Sequence, residues 1–414
     1  MMKVKTLNVN QSNRVLNFKD YLLIICFVLI CSQNLKIYDF GSFSLKVYHI
    51  IPLLLLPYIF KNRDSKIQSY VIGFVLVVSI MSVFRYLEFG FNSLILNYIF
   101  GLAIFLAFFN FTKGISNTRK LTDIKVGSII VMILCFINLL LQIDKVLEFY
   151  SSSSIGLWAG HPSVDSYFGG GVNLDASWIG LFGIFFVRDK KLSRKILYIS
   201  LSLFLSIIYA SRAGVLIGIL CLFLSFVFSN RKERINLIIS FLLIATIAIA
   251  IFPNAIVYIV NRTISVGHDP GSVGRLDMWD NILKTFIANP LGGGLGNSVK
   301  LINLFNGLEL TDSNLHNLPL QFLLDLGPIG FAIIISIYFY FIKQLFKNPS
   351  NLILLFICSY FLFSLIQFRG GDTIIFFALS LALPLRGRFE SKTCLLSSDC
   401  FNKGEVSLDI KKGN

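Results

Sequence analysis

Long apolar stretches recur along almost the whole chain, and short polar segments separate them. A helix needs about 20 consecutive apolar residues to cross a bilayer core of about 30 Å. The pattern therefore predicts an all-α polytopic membrane protein, with residues 1–414 as a single integral membrane domain. We expect about twelve spanning helices, with eleven as the alternative count. The predicted spans are 20–34, 47–60, 67–85, 92–111, 124–142, 170–187, 196–211, 213–229, 235–252, 318–342, 351–368 and 372–385.

Two longer polar segments interrupt this pattern, at 143–171 and at 253–317. The second lies between predicted spans nine and ten, and a connection of that length is usually functional or folded locally. Part of it has a helical period, so we expect a short helix that begins at Arg275 and ends at Asn289 and Pro290. The apolar positions that define this helix are Leu276, Trp279, Leu283, Phe286 and Ile287.

The basic residues are distributed unequally between the two sides of the predicted bundle. If the N-terminus is cytoplasmic, 27 of the 37 lysine and arginine residues lie on the inner side. This asymmetry is the one that the positive-inside rule describes. We therefore predict that both termini are cytoplasmic, including the tail at 386–414, and that both long loops face outward. The net charge of +15 then reflects membrane insertion, and no nucleic-acid partner is expected.

Reporter fusions test this orientation directly. Fusions after Lys190 and Arg231 should report a cytoplasmic location, and fusions near Ser154 and Asn306 should report an external one. A cytoplasmic signal at Asn306 would place the long loop on the wrong side of the membrane and overturn the assignment of the site.

Composition narrows the class of protein further. Hydrophobic residues make up 55% of the chain and charged residues only 14%, which excludes an ordinary soluble globule. None of the seven cysteines falls in a predicted outer loop and no CxxC pair is present, so neither a disulfide nor a metal site is predicted. The segment PLGGGLG at 290–296 lacks the GK[ST] ending of a phosphate-binding loop. It is either a flexible connector or a place where the backbone approaches a ligand or a neighbouring helix.

A few polar residues stand out beside the apolar stretches. Arg212 lies in the turn SRAG between two apolar runs, where an arginine must reach the interface or pair with an anion. Arg275 opens the predicted outer helix, and His316 with Asn317 precedes the next apolar run. A histidine can exchange protons near neutral pH. The alternative for His316 is a residue at a helix start that bonds the backbone. For Arg212 the alternative is contact with lipid headgroups.

The order of these motifs resembles the O-antigen polymerase and ligase superfamily of bacterial membrane glycosyltransferases. The resemblance covers roughly residues 160–335. It rests on GRLxxW at 274–279, ANPLGGGLG at 288–296, the turn SRAG, and the pattern H-N-x9-G-x-x-G. In that last pattern His316 and Asn317 are followed by Gly327 and Gly330. Asp325 departs from the usual glutamate of the family, so no role is carried over to it.

The resemblance implies a GT-C-like fold and an inverting glycosyltransferase at the outer leaflet of the bacterial inner membrane. Its donor would be a glycan on undecaprenyl pyrophosphate, without a metal or other cofactor. Arg275 and His316 would be catalytic, and four residues would contact pyrophosphate or glycan: Arg212, Arg275, Trp279 and Asn317. A flippase and a chain-length regulator of the same pathway are the implied protein partners.

Two activities fit this resemblance, and a third class competes with it. We favour a polymerase, which transfers the growing glycan to a hydroxyl of another lipid-linked unit, because two outer loops carry polar and aromatic residues. A ligase, which transfers the polymer to the core of lipid A, is the alternative. A membrane transporter is the more distant one, but transporters place charges near the membrane midplane in two matching halves, and no such repeat is visible.

Overall fold

The chain is mostly helical, as its computed structural model shows. The structure describes residues 17–39, 44–60, 65–90, 92, 94–113, 115–151, 160–268, 270–310, 314–367 and 372–382. The predicted cytoplasmic tail at 386–414 and part of the first outer loop, 152–159, lie outside these described residues.

The described helices run from α1 to α18 in chain order. The first nine are α1 (Phe18–Cys31), α2 (Ile50–Leu54), α3 (Leu56–Phe60), α4 (Ser65–Phe89), α5 (Leu94–Phe111), α6 (Asn117–Leu141), α7 (Ile143–Ser151), α8 (Val172–Phe182) and α9 (Leu192–Ile208). The other nine are α10 (Arg212–Phe228), α11 (Arg231–Ile251), α12 (Pro253–Ile264), α13 (Pro270–Asp280), α14 (Ile282–Ala288), α15 (Ser298–Asn306), α16 (Leu318–Lys347), α17 (Leu352–Phe363) and α18 (Thr373–Ala382).

The helices agree with an all-α membrane protein at the level of class. Among the described residues, α6 and α16 are long and apolar enough to cross a membrane alone, and several shorter apolar helices accompany them. The count of twelve spans stays a prediction. One small exception to the all-α expectation is an antiparallel hairpin of β1 (Lys36–Asp39) and β2 (Ser44–Lys46). Strands this short are invisible to a pattern that is averaged over about 20 residues.

The second predicted span, 47–60, is broken into three short pieces. A 3₁₀ turn at Val47–His49 leads into α2. Leu55 is the single residue between the end of α2 and the start of α3. Pro52 and Pro57 flank this break. Proline lacks a backbone N–H and its ring crowds the preceding helical turn, so two prolines five residues apart interrupt the helix. Pro52 and Pro57 therefore account for the break in this span.

Helix α8 forms the centre of the bundle. Nearly every side chain in it is buried, including Trp178, because apolar residues occur on every face of the helix, and Asp175 is buried among them. Gly180 lets α10 approach closely, since a Cβ at that position would lie 3.3 Å from the side chain of Ile217. The hydroxyl of Ser211 also donates to the side-chain oxygen of Asn173 in α8 at 2.5 Å. The start of α10, where Arg212 lies, is therefore anchored to the most buried helix.

The long segment 253–317, predicted to face outward and called the long outer segment below, contains four helices, α12 to α15. The last three, α13 to α15, share a small hydrophobic cluster with the start of α16, formed by Met278, Ile282, Val299, Ile302, Leu315 and Leu324. The predicted helix is corrected in two respects. Arg275 lies inside α13 instead of at a helix start, and a break at Asn281 separates α13 from α14. The break changes the direction of the chain. As a result the side chains of Met278 and Ile282 are buried, and the side chain of Leu283 is exposed.

The glycine segment after α14 packs against a kink in α16. Gly293 and Gly294 donate their N–H groups to the carbonyls of Leu324 and Asp325, at 3.0 and 2.8 Å. A Cβ on Gly292 would lie 2.6 Å from the backbone of Asp325. Of the two readings of this segment, a flexible connector is wrong. The glycines permit close approach, and their neighbour is a helix.

The carboxylate of Asp325 completes this junction. It accepts hydrogen bonds from the N–H groups of Gly296 at 2.9 Å and Ser298 at 3.0 Å, where α15 begins. Ser298 is the first residue of α15, and its N–H is a donor that a helix start leaves without an intrahelical partner. Gly327, with a φ of 66°, places the kink in α16 beside Pro328. Asp325 and Gly327 therefore join the outer helices to α16.

A pair of glycine substitutions tests this packing. Gly292→Ala should destabilise the protein by about 2 kcal/mol or more, because the new Cβ meets backbone atoms and its φ is 77°. Gly307→Ala is the matched control: its φ is 63°, but a Cβ there meets nothing within 4 Å, so only about 1 kcal/mol is expected. Thermal unfolding in detergent measures both, and equal losses would contradict the close packing.

Candidate active site

Arg212 is placed by a short, well-bonded turn. Helix α9 ends at Ile208, and Ser211 caps α10 by accepting a hydrogen bond from the N–H of Gly214 at 3.0 Å. Arg212 is thus the first residue of α10 instead of a turn residue, and the turn is 209–211 instead of SRAG at 211–214. The Arg212 guanidinium donates from Nη1 to the carbonyl of Arg262 at 2.9 Å.

Arg262 is a residue that sequence reasoning missed. It lies on α12, where the buried positions Ala255, Tyr258 and Ile259 define an apolar face that also includes Arg262. Its side chain is only 6% exposed. A charge on the buried face of an amphipathic helix is unusual, and this placement is the signal that would have identified it.

The guanidinium of Arg262 binds two segments that are distant in the sequence. Its Nη1 donates to the carbonyl of Gly160 at 2.6 Å and to the carbonyl of Ala210 at 3.1 Å. The same atom lies 3.2 Å from Nδ1 of His161. Arg262 therefore joins the first outer loop, the turn before α10 and the long outer segment at one point.

His161 is buried beside the guanidinium of Arg262. Its Nδ1 lies 2.9 Å from the carbonyl of Tyr209, and because a carbonyl only accepts, Nδ1 carries the proton. Burial, and then the charge of Arg262, lower the pKa of His161 to about 4, and Arg212 and Arg275 contribute in the same direction. His161 is therefore neutral at pH 7, and three guanidinium groups lie near its ring.

The lowered pKa of His161 predicts how stability depends on pH. The folded state disfavours the protonated ring, whereas the unfolded chain takes up a proton below a pKa of about 6.5. Stability should therefore fall as pH decreases from about 6.5 towards 4, because the unfolded state binds more protons in that window. His161→Gln cannot titrate, so its melting temperature should fall less over the same range. Parallel curves for the two proteins would contradict the assignment.

Arg275 and Asn317 bind neighbouring carbonyls of the turn that follows α17. Arg275 donates from Nη1 to the carbonyl of Ile366 at 3.0 Å and lies 3.5 Å from the side-chain oxygen of Gln367. Asn317 donates its amide to the carbonyl of Leu365 at 3.1 Å. The two predicted site residues are thereby brought to one turn, although 42 positions separate them in the chain.

His316 occupies a constrained backbone position. Its φ is 53°, in the left-handed region that few residues other than glycine adopt, and its N–H donates to the side chain of Asn314 at 2.9 Å. Trp279 donates its indole N–H to the carbonyl of Leu315 at 2.9 Å. Asn317 caps α16 by accepting from the N–H of Leu320 at 3.1 Å. Trp279 and Asn317 therefore hold the segment that carries His316, and the substrate contacts predicted for them stay predictions.

The side chains of this site can supply positive charge, from arginine, and an imidazole, from His316. Arginine presents a planar set of donors that matches phosphate oxygens, and several such groups together attract an anionic ligand. Among the described residues no group of three His, Cys, Asp or Glu side chains is placed to hold a metal ion. The site thus combines three arginines with the partly exposed His316.

Comparison with known proteins bears on the same part of the chain. Residues 178–335 match the family described as O-antigen ligase. The comparison with curated proteins gives no match. The segment that holds Arg212, Arg275 and His316 is therefore the part of the chain that is similar to the O-antigen ligase family, and the resemblance to the O-antigen polymerase and ligase superfamily is confirmed.

Proposed function

We propose that this protein polymerises lipid-linked oligosaccharide units into O-antigen or a related surface polysaccharide. The match to the O-antigen ligase family supports a membrane glycosyltransferase of O-antigen ligase or polymerase type. The observation that carries the proposal is the cluster of Arg212, Arg262 and Arg275 around His161. The guanidinium groups of Arg212 and Arg275 are suited to a pyrophosphate, which is the group that leaves when such a glycan is transferred, and Arg262 adds positive charge beside them.

The reaction uses the residues as follows. The hydroxyl oxygen of the acceptor sugar forms a bond to the anomeric carbon of the donor, and the bond from that carbon to the pyrophosphate oxygen breaks with inversion. The electron pair of that bond stays on undecaprenyl pyrophosphate, whose developing charge Arg212 and Arg275 stabilise. The proton of the acceptor hydroxyl goes to His316 if His316 acts as the base. In the other role, His316 donates a hydrogen bond to the leaving phosphate, and a phosphate oxygen of the leaving undecaprenyl pyrophosphate takes up the proton of the acceptor hydroxyl.

The acceptor decides between the two activities. A polymerase must hold two lipid-linked glycans, and the two outer segments that Arg262 joins both carry polar and aromatic residues. This pairing favours the polymerase. The ligase is the second candidate, because the matched family is described as O-antigen ligase and the H-N-x9-G-x-x-G pattern is shared with it.

We place the protein in the bacterial inner membrane, with both termini in the cytoplasm and the arginine cluster facing the periplasm. Its substrates are then undecaprenyl-pyrophosphate-linked oligosaccharides within the lipid bilayer. A flippase would supply them and a chain-length regulator would act on the product. The distribution of basic residues supports this orientation.

Purified protein tests the proposal. In detergent with lipid-linked oligosaccharide as the sole substrate, a polymerase should release undecaprenyl pyrophosphate and form longer glycans. A ligase should need added lipid A core for turnover. Absence of turnover with either acceptor, together with uptake of radiolabelled solute by liposomes that contain the protein, would instead support a transporter.

A further inference from the structure

The turn that precedes Arg212 contains a strained residue. Ala210 has a φ of 50°, in the left-handed region, and it is fully buried. For an L-residue with a Cβ this conformation costs about 1–2 kcal/mol, and it persists only when surrounding contacts impose it. The conformation of Ala210 sets the direction in which the chain enters α10, and therefore where Arg212 begins.

Two side chains from outside the turn impose this conformation. The guanidinium of Arg262 donates to the carbonyl of Ala210 at 3.1 Å, and Nδ1 of His161 donates to the carbonyl of Tyr209 at 2.9 Å. The Arg262 guanidinium also binds Gly160 at 2.6 Å, next to His161. Two consecutive carbonyls of the turn thus accept hydrogen bonds from outside it. One donor is Arg262 of α12, and the other is His161 of the first outer loop.

The contact between the two arginines is reciprocal. The side chain of Arg262 binds the backbone two residues before Arg212, and the backbone carbonyl of Arg262 accepts the side chain of Arg212 at 2.9 Å. A shift of Arg262 therefore moves both the backbone that precedes Arg212 and the acceptor of its guanidinium.

We propose that Arg262 and His161 are positioning residues, which hold Arg212 in place for a phosphate of the donor lipid. This role rests on the proposed function, because it assumes that Arg212 contacts the pyrophosphate. Arg262 acts through Arg212: its hydrogen bonds to Gly160 and Ala210 fix the turn, and Arg212 makes the contact with the ligand. The ligand class is a polyprenyl pyrophosphate.

Binding measurements with two lipids test this role. The unaltered protein should bind undecaprenyl pyrophosphate more tightly than undecaprenol, which lacks the phosphates. Arg212→Gln should weaken undecaprenyl pyrophosphate binding by about 10- to 100-fold, the usual range for hydrogen bonds to a charged group. Arg262→Gln should weaken it about 10-fold, and should leave undecaprenol binding unchanged.

A variant that combines Arg212→Gln with Arg262→Gln shows whether Arg262 acts through Arg212 or contributes to lipid binding independently. If Arg262 acts through Arg212, then Arg262→Gln should have almost no further effect in the Arg212→Gln background. Equal effects of Arg262→Gln in both backgrounds, or no effect in either, would overturn the proposal. Equal binding of both lipids by the unaltered protein would instead contradict the proposed function itself.

A rescue experiment covers the case in which Arg262→Gln disturbs the fold. Glycine adopts a positive φ without a steric cost, so Ala210→Gly should restore part of the binding that Arg262→Gln loses. Ala213→Gly is the matched control, because Ala213 lies in the first turn of α10, where glycine is unfavourable. Rescue by Ala210→Gly alone supports positioning through the turn. Absence of rescue, or equal rescue by both glycines, contradicts it.

Discussion

Arg275→Ala should lower the rate of glycan transfer by about 100- to 1,000-fold, because it removes a donor aimed at charge that develops on the leaving pyrophosphate. Arg275→Lys should also fail, since a point charge does not replace the planar guanidinium. His316→Ala should cost about 100- to 10,000-fold if His316 exchanges the acceptor proton. Initial rates on lipid-linked oligosaccharide in detergent measure all three.

Lys284→Ala is the control for these variants. Lys284 is a cation of the same outer segment, but it is exposed on α14 and lies in the small surface helix beyond the break at Asn281. Its replacement removes the same charge, and activity should stay within about two-fold of normal. Because Arg275 also bonds Ile366, melting temperatures of each variant must be compared. Near-normal activity in both the Arg275→Ala and His316→Ala variants would refute the assigned site.

Deletion of the gene should distinguish polymerase from ligase by an all-or-none change in the surface glycan. Loss of a polymerase should leave lipid A core that carries a single repeat unit, because the ligation of single units continues. Loss of a ligase should leave bare lipid A core, while long chains accumulate on undecaprenyl pyrophosphate. Gel electrophoresis of the extracted glycans, with analysis of the lipid-linked pool, measures both outcomes. The second would refute the polymerase assignment.

Complementation provides the control for the deletion. The unaltered gene should restore long chains, and the Arg275→Ala gene should not, although its protein reaches the membrane in normal amount. If the Arg275→Ala gene restored long chains, growth of the glycan would not depend on the arginine cluster. The comparison therefore links the phenotype in the cell to one side chain of the site.

The sequence by itself determined the class of protein and the residues to examine. Apolar stretches of membrane length identify a helical membrane protein, because a bilayer leaves few other backbone solutions. Arg212 and His316 were visible because each is a polar residue beside an apolar run, and Arg275 because it opens a segment with a helical period. The break in the second span is also encoded locally, by Pro52 and Pro57, since a missing N–H is a local property.

The tertiary structure decided which of these residues meet. Arg262 contacts Gly160 and Ala210, which are 102 and 52 positions away, and no local pattern encodes a contact at that separation. The glycine segment 290–296 likewise acquires its role only when α16 lies against it. A periodic pattern reports how buried one face of a helix is, but the partner of a buried charge depends on which segments fold against it. For that reason the sequence indicated two arginines, and the structure added a third that joins both outer segments to the turn before Arg212.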